Sequence, residues 1–352
     1  MTRPGLLVDS HSRILRDLRV SLTDRCNFRC LYCLPETEAA QNFYRGHWAH
    51  LPDSQPIVQQ WVPKHHLLSF EEIERVVRVA VGLGIEKIRL TGGEPLLRQG
   101  VETLVGRIAA IPGIKDLAMT SNGFLFSQKA AVLRDAGLRR ISFSLDSLDR
   151  DNFKRITGRD GLEAVLQSIA LAQQLGFAPV KVNAVIIRGL NDHEIEALAD
   201  FGRQRDLTMR FIEFMPLDAD RHWSRELMVP AAEIYRRIHA RWPLVQIPHE
   251  ASETARKYRF ADGAPGEIGL IAPVTQPFCG HCSRIRLTAD GKLRTCLFSK
   301  EDHDLRGLLR ENASDEDLQT YIRSVVSEKE KGHRINEPDF VPPSRTMVFI
   351  GG

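Results

Sequence analysis

Six cysteines stand in two tight groups in this chain of 352 residues: Cys26, Cys30 and Cys33, then Cys279, Cys282 and Cys296, with none between. Spacings of two or three residues suit a metal better than a disulfide framework, which scatters its cysteines. Three thiolates can hold three irons of a cubane cluster and leave the fourth iron open to a substrate or cofactor, which a four-cysteine electron carrier cannot do. The alternative is zinc, which takes four protein ligands in a structural site. A histidine of the 36–66 segment could complete the first group, and His281 or a distant residue the second. Spacing and position favour iron–sulfur for the first group. The second group, taken alone, leaves zinc and iron–sulfur evenly matched.

The elements that must carry these groups are legible as an alternation. Extended apolar runs fall at Leu18–Leu22, Lys87–Leu90, Asp116–Thr120, Arg140–Leu145, Val180–Ile187 and Thr208–Phe214. Helix-period segments separate them at Phe70–Leu83, Val101–Ile111, Gln128–Ala136, Leu162–Leu175 and Asp192–Arg203. Ser69 with Glu72 reads as a capping box, and Gly137 and Gly176 stand where helices should stop. Six strands in βα alternation predict a parallel sheet, either doubly wound or an incomplete barrel, with its chemistry at the C-terminal strand ends. The first cysteine group follows the first strand directly, in such a position. Glu36–His66 carries no clear period and reads as a long loop, a mobile lid or a partly ordered surface excursion. Beyond Pro216 the pattern turns to α+β: a helix at Ala231–Arg241, a hairpin at Ile285–Leu297 turning at Asp290-Gly291, a helix at Asp315–Val326, and an extended tail from Phe340 to Gly352.

Composition narrows the class. The 43% hydrophobic and 26% charged content is that of a globular chain able to bury a core without staples. Lys+Arg 48 against Asp+Glu 45 leaves +3, too mild for general nucleic-acid binding. No run of 18 apolar residues exists, so no membrane span is expected. Met1–Asp9 shows neither a signal-peptide core nor a transit pattern, so the expected compartment is the reducing cytoplasm.

Cys26-Asn27-Phe28-Arg29-Cys30-Leu31-Tyr32-Cys33 resembles the CxxxCxxC signature of the radical S-adenosylmethionine superfamily, and Thr91-Gly92-Gly93-Glu94-Pro95 resembles its GGE motif. The strings Leu18–Cys26, Lys87–Pro95, Arg210–Met215 and Cys282–Arg286, with the terminal Gly351-Gly352, resemble the GTP 3′,8-cyclase family over nearly the whole chain. That resemblance implies an α/β fold: an incomplete (β/α)6 TIM-type barrel over 13–216, a C-terminal α+β cluster-binding domain over 217–340, and an active-site tail over 341–352. It implies two [4Fe-4S] clusters, on Cys26, Cys30 and Cys33 and on Cys279, Cys282 and Cys296, the second contacting guanine. It implies S-adenosylmethionine bound at Tyr32, Gly93, Ser144 and Met215. GTP would be held by Arg19, Arg89, Thr120, Lys181, Arg284 and Arg286, with Lys87 and Arg210 as weaker candidates, and Gly351 and Gly352 would act in catalysis. The implied reaction cleaves S-adenosylmethionine, removes hydrogen from C3′ of GTP and joins C3′ to C8 of guanine, the first step of molybdenum cofactor biosynthesis.

Physical reading supports the cation set. A triphosphate needs several cations, preferably arginines, and strand positions two apart share a face, so Lys87 pairs with Arg89 and Arg284 with Arg286. Arg139-Arg140 and Arg236-Arg237, being adjacent, read as solvated surface. The expected partners are an electron donor and, through the product, a downstream cyclic pyranopterin synthase, with no nucleic acid and no membrane; the chain is expected to be a monomer or homodimer. The alternatives are another two-cluster radical enzyme, such as one maturing a peptide, and a zinc protein binding RNA. Net charge and the 7% aromatic content disfavour the latter.

Overall fold

The computed structural model describes residues 5–34, 61–217 and 223–351. All six expected strands form: β1 (Asp17–Ser21), β2 (Lys87–Thr91), β3 (Asp116–Ser121), β4 (Arg140–Ser144), β5 (Lys181–Ile186) and β6 (Thr208–Glu213). The helices between them are α1 (Phe70–Gly82), α2 (Val101–Ala109), α3 (Phe126–Asp135), α4 (Arg150–Thr157), α5 (Leu162–Gln174) and α6 (Ile195–Gln204). Ser69 and Glu72 close a reciprocal capping box on α1. Gly137 and Gly176 take φ of 106° and 75° just beyond α3 and α5, where a left-handed residue ends a helix without a Cβ penalty. Helix α4 was not anticipated. It is short and mostly polar, and is fixed by its ends: Asp149 accepts from the Asn152 N–H, and Gly158 closes it at φ 69°.

The sheet is larger than the alternation predicts. Past β6 come α7 (Ala231–Arg241), β7 (Leu244–Ile247), β8 (Arg256–Phe260), β9 (Glu267–Ile271), β10 (Arg284–Leu287), β11 (Lys292–Arg294), β12 (His303–Asp304), α8 (Leu305–Arg310) and α9 (Asp315–Ser327). All twelve strands join one sheet in the order β12-β11-β10-β1-β2-β3-β4-β5-β6-β9-β8-β7. Strand β10 lies parallel to β1, with Arg19 opposite Arg286, and β9 lies parallel to β6. Two strands from the C-terminal half therefore extend the parallel array at both ends. The hairpin of β10 and β11 forms as expected, turning through Gly291 at φ 78°.

The tail departs from its extended reading. Met347–Ile350 make a helical turn, here α10, which ends at Gly351 with φ 84°. Four residues are too few to show a period. Burial of Val348 and Ile350, each at most 2% exposed, selects the turn. Gly352 and most of the 36–66 segment lie outside the described residues; Lys64–His66 form a 3-10 turn.

The strands' period of two sorts side chains by face. Leu18, Val20, Ile88, Leu90, Met119, Phe143, Val182 and Phe211 are fully buried in the principal core, which the helices cover. The alternate positions, Arg19, Arg89, Thr120, Ser142, Asn183 and Arg210, line a cavity on the other face.

Candidate active site

The cavity measures about 280 Å³. Strand register builds its floor. Arg286, Arg19 and Arg89 stand opposite one another across β10, β1 and β2, which sets three guanidinium groups side by side. Burial and the neighbouring Arg286, Arg89 and Arg284 pull the Arg19 pKa well below the ordinary arginine value, and burial with Arg284 brings Arg286 down to about 10. Such a row is electrostatically costly unless it faces an anion. Arg89 also donates to Thr120 Oγ1 and Ser142 Oγ, both at 3.3 Å, which fixes its fork.

Of the sequence-predicted residues, Arg19, Tyr32, Arg89, Thr120, Ser144, Met215, Cys279, Cys282, Arg284, Arg286 and Cys296 line this one cavity. Arg210 lines it as well, whereas seven described ones do not: Cys26, Cys30 and Cys33 of the first group, then Gly93, Lys181, Lys87 and Gly351. Gly93 packs behind the first cysteine loop. Lys181 lies at the start of β5, 9% exposed; burial, then Arg210, Arg140 and Arg89, lower its pKa to about 6. Lys87 approaches Glu250 at 3.8 Å and does not share the wall with Arg89. Gly351 lies against it: its carbonyl accepts from Arg286 Nη1 at 2.6 Å. A Cβ there would come within 2.8 Å of Ser21 Cβ, so position and φ both call for glycine. Arg140 corrects the surface reading of Arg139-Arg140: it is ion-paired to Asp116 rather than solvated.

The first cysteine loop is held by β2's C-terminal turn. Gly93 N–H donates to Thr23 O at 2.7 Å and Glu94 N–H to Arg25 O at 2.8 Å. A Cβ on Gly93 would lie 2.2 Å from Arg25 O, so glycine is what lets the two loops touch. Glu94, fully buried, accepts from Asn122 N–H, Ser121 Oγ and Leu96 N–H at 2.7–3.0 Å; burial nevertheless lifts its pKa to about 7. Asn122 also donates to Cys26 Sγ at 3.8 Å. Tyr32, between two cysteines, donates to Asp146 Oδ2 at 2.6 Å. The second group is held from behind by two cations. Arg13 donates to Cys279 O, Lys331 O and Glu330 O at 2.6–2.9 Å while paired to Asp9. Lys329, 2% exposed, donates to Arg284 O at 3.0 Å and to Thr295 O.

The donor chemistry fits iron–sulfur clusters. Burial raises the Cys26 and Cys33 thiols to about 11 and about 12, so the bare loop keeps them protonated and ready to exchange protons for metal. At Cys282 burial opposes ionisation, but Arg284 and Lys329 overcome it and bring the thiol to about 6. A cubane takes one cysteine at each of three irons, and each group supplies three free cysteines.

Asp146, Asn183, Thr254, Phe278 and His333 line the cavity without having been singled out. A signal existed for Asp146, two residues past Ser144 at the end of the same strand. None existed for Arg13 or Lys329, which act across more than 30 residues.

Comparison with known proteins places this geometry. The Radical SAM superfamily matches residues 20–202 and Molybdenum Cofactor Synthesis C matches 207–335. The chain is 43% identical over 349 residues to the GTP 3′,8-cyclase of Streptomyces coelicolor, covering 99% of this chain and 96% of that protein. It is 41% identical to that of Xanthomonas axonopodis pv. citri, covering 100% of both. Among solved structures, Streptococcus suis SuiB bound to S-adenosylmethionine superimposes with a TM-score of 0.59 at 14% identity, covering 98% of this chain and 77% of that one. The tagged anSMEcpe with bound AdoMet gives 0.54 at 13%, covering 91% and 82%. These two likenesses are of fold.

Proposed function

The chain belongs to the GTP 3′,8-cyclase family of radical S-adenosylmethionine enzymes, and on that premise we propose which of its residues do the work. It converts GTP to (8S)-3′,8-cyclo-7,8-dihydroguanosine 5′-triphosphate, the first step of molybdenum cofactor biosynthesis. It uses S-adenosylmethionine and a [4Fe-4S] cluster. When bound, that pair supplies a carbon-centred radical able to take a hydrogen atom from ribose.

Cys26, Cys30 and Cys33 would hold this cluster. Tyr32, Gly93, Ser144 and Met215 would hold the S-adenosylmethionine beside it, Tyr32 being oriented by Asp146. Cys279, Cys282 and Cys296 would hold a second [4Fe-4S] cluster at the opposite end, next to guanine. GTP would lie between, its phosphates on Arg19, Arg89, Arg284 and Arg286 and its polar edges on Thr120, with Lys181 adding charge from behind. Gly351 and Gly352 would close the site over the ribose, where a carbonyl without a side chain can approach. Pinning both ends of the substrate restricts which hydrogen meets the radical. An incomplete (β/α)6 barrel over 13–216, with 217–340 as the cluster-binding part and 341–352 as the tail, organises these roles. An external electron donor, a downstream cyclic pyranopterin synthase, a monomer or homodimer and a cytoplasmic setting complete the proposal; no described helix is long and apolar enough to cross a membrane.

The observation that carries the assignment is the register of Arg286, Arg19 and Arg89 on one floor, in a cavity lined by Cys279, Cys282 and Cys296 and by Tyr32 of the first cysteine loop. The test is anaerobic turnover of Cys30→Ala and Cys282→Ala with reductant, S-adenosylmethionine and GTP. Loss of 5′-deoxyadenosine in the first, and retained cleavage without cyclised product in the second, are expected. Undiminished cleavage in Cys30→Ala overturns the assignment.

A further inference from the structure

Trp61 is not one of the cavity-lining residues, and no role above uses it. Its surroundings are specific. The Val62 N–H donates to Asp24 Oδ2 at 2.6 Å, and Asp24 is 1% exposed, so the backbone beside Trp61 is tied to the strand-to-cysteine loop. Arg25, which precedes Cys26, places its guanidinium carbon 4.9 Å from the indole centroid. Arg29, which precedes Cys30, places its own at 5.8 Å. The same indole meets the Phe349 ring at 6.1 Å between centroids, tilted by 37°.

Phe349 belongs to the turn that ends in Gly351. Val348 and Ile350, on either side, are buried, and Gly351 O is bonded to Arg286. The turn thus has an apolar seat and a polar tether, and its one aromatic side chain meets Trp61. Two arginines on one partner of an aromatic pair orient that ring through its quadrupole, and the ring in turn limits where its partner can lie.

We propose that Trp61 is a positioning residue for the cyclisation: it links the first cysteine loop to the C-terminal turn and sets Phe349, hence the Gly351 carbonyl, at the substrate. The inference rests on the proposed role of the tail. It differs in where it would fail, because a link between Trp61 and the turn can be read without turnover. In this account Trp61 does not touch substrate or cofactor. Its loss should leave radical generation in place and loosen only what receives the radical, since geometric slack at a reacting atom is expensive in rate.

The test uses the full-length reconstituted enzyme. Hydrogen exchange of 346–351 should speed at least five-fold in Trp61→Ala and in Phe349→Ala, and return to within two-fold of the parent in Trp61→Phe. The ratio of cyclised product to 5′-deoxyadenosine should fall at least five-fold in both alanine variants and recover in Trp61→Phe. The double variant should be no worse than either single one, because one contact is lost once. Phe349→Ala lies outside the cysteine loop and keeps the test open if Trp61→Ala assembles iron poorly. Unchanged exchange at 346–351, or additive losses in the double variant, overturns the proposal. If removal of Gly351-Gly352 left cyclisation intact while Trp61→Ala still freed the turn, the tail's catalytic role would fall and the Trp61 link would stand.

Discussion

Lys181 shows how much charge this site concentrates. Its pKa, lowered from 10.5 to about 6 by burial and by Arg210, Arg140 and Arg89, leaves it mostly neutral at neutral pH without an anion. The folded-state value lies below the unfolded one, so the fold is penalised as pH falls from 10.5 and the penalty levels off below 6. A bound triphosphate reverses this by neutralising the same arginines. GTP binding at pH 7.5 should therefore take up protons, read as a calorimetric heat that scales with buffer ionisation enthalpy, and Lys181→Met should abolish most of the uptake. An uptake unchanged in that variant would place the titrating group elsewhere. Arg284→Ala and Arg286→Ala should each weaken GTP by about 1.5–3 kcal/mol, the worth of a charge-assisted bond, and guanosine by less. Equal losses in titrations of the two ligands would point to base contact or misfolding.

At the scale of elements, two short pieces of backbone matter more than their length suggests. The turn after β2 approaches Arg25 O so closely that Gly93→Ala should cost the loop its shape. The expected result is protein that folds, by circular dichroism, but binds less than half the parent's iron. Full iron loading would show that the loop can yield. Turn α10 is nearly balanced by itself. Burying Val348 and Ile350 contributes about 1.5–3 kcal/mol each, while fixing Met347–Ile350 costs about 1–2 kcal/mol per residue. Its outside contacts therefore decide it: the Arg286 bond to Gly351 O, the Val348 backbone bond to Cys33 and the Phe349 ring on Trp61. Removing Gly351-Gly352 should stop cyclisation while leaving folding, iron content and S-adenosylmethionine binding largely intact, checked by product and 5′-deoxyadenosine assays. Wild-type product yield would refute it. The same contrast explains what could be read from sequence. The six strands and their caps were legible because apolar period and glycine placement are local signals. Strands β7 and β8 were not, since Arg256, Lys257 and Arg259 on an edge hairpin mask any period. The cysteine groups announced themselves by spacing, whereas Arg13 behind Cys279, and Trp61 against Phe349, are meetings of distant segments that leave no local trace.

For the whole molecule, the decisive fact is that β9 and β10 flank the strands of the N-terminal half. A chain cut after residue 216 would bare β1 and β6 as parallel edges, each with a row of unpaired backbone groups. Residues 1–216 expressed alone should be insoluble or aggregated by size-exclusion chromatography, and co-expression with 217–352 should recover soluble protein. A soluble monomeric fragment would show that the flanking strands are dispensable. Ser283 bonds to Asp17 across 266 residues, and that distance is also a delay. A ribosome adding about 5–20 residues per second finishes β1 roughly 13–53 s before its outer neighbour emerges. For that interval the nascent chain holds the first cysteine loop without the strand that completes the arginine row.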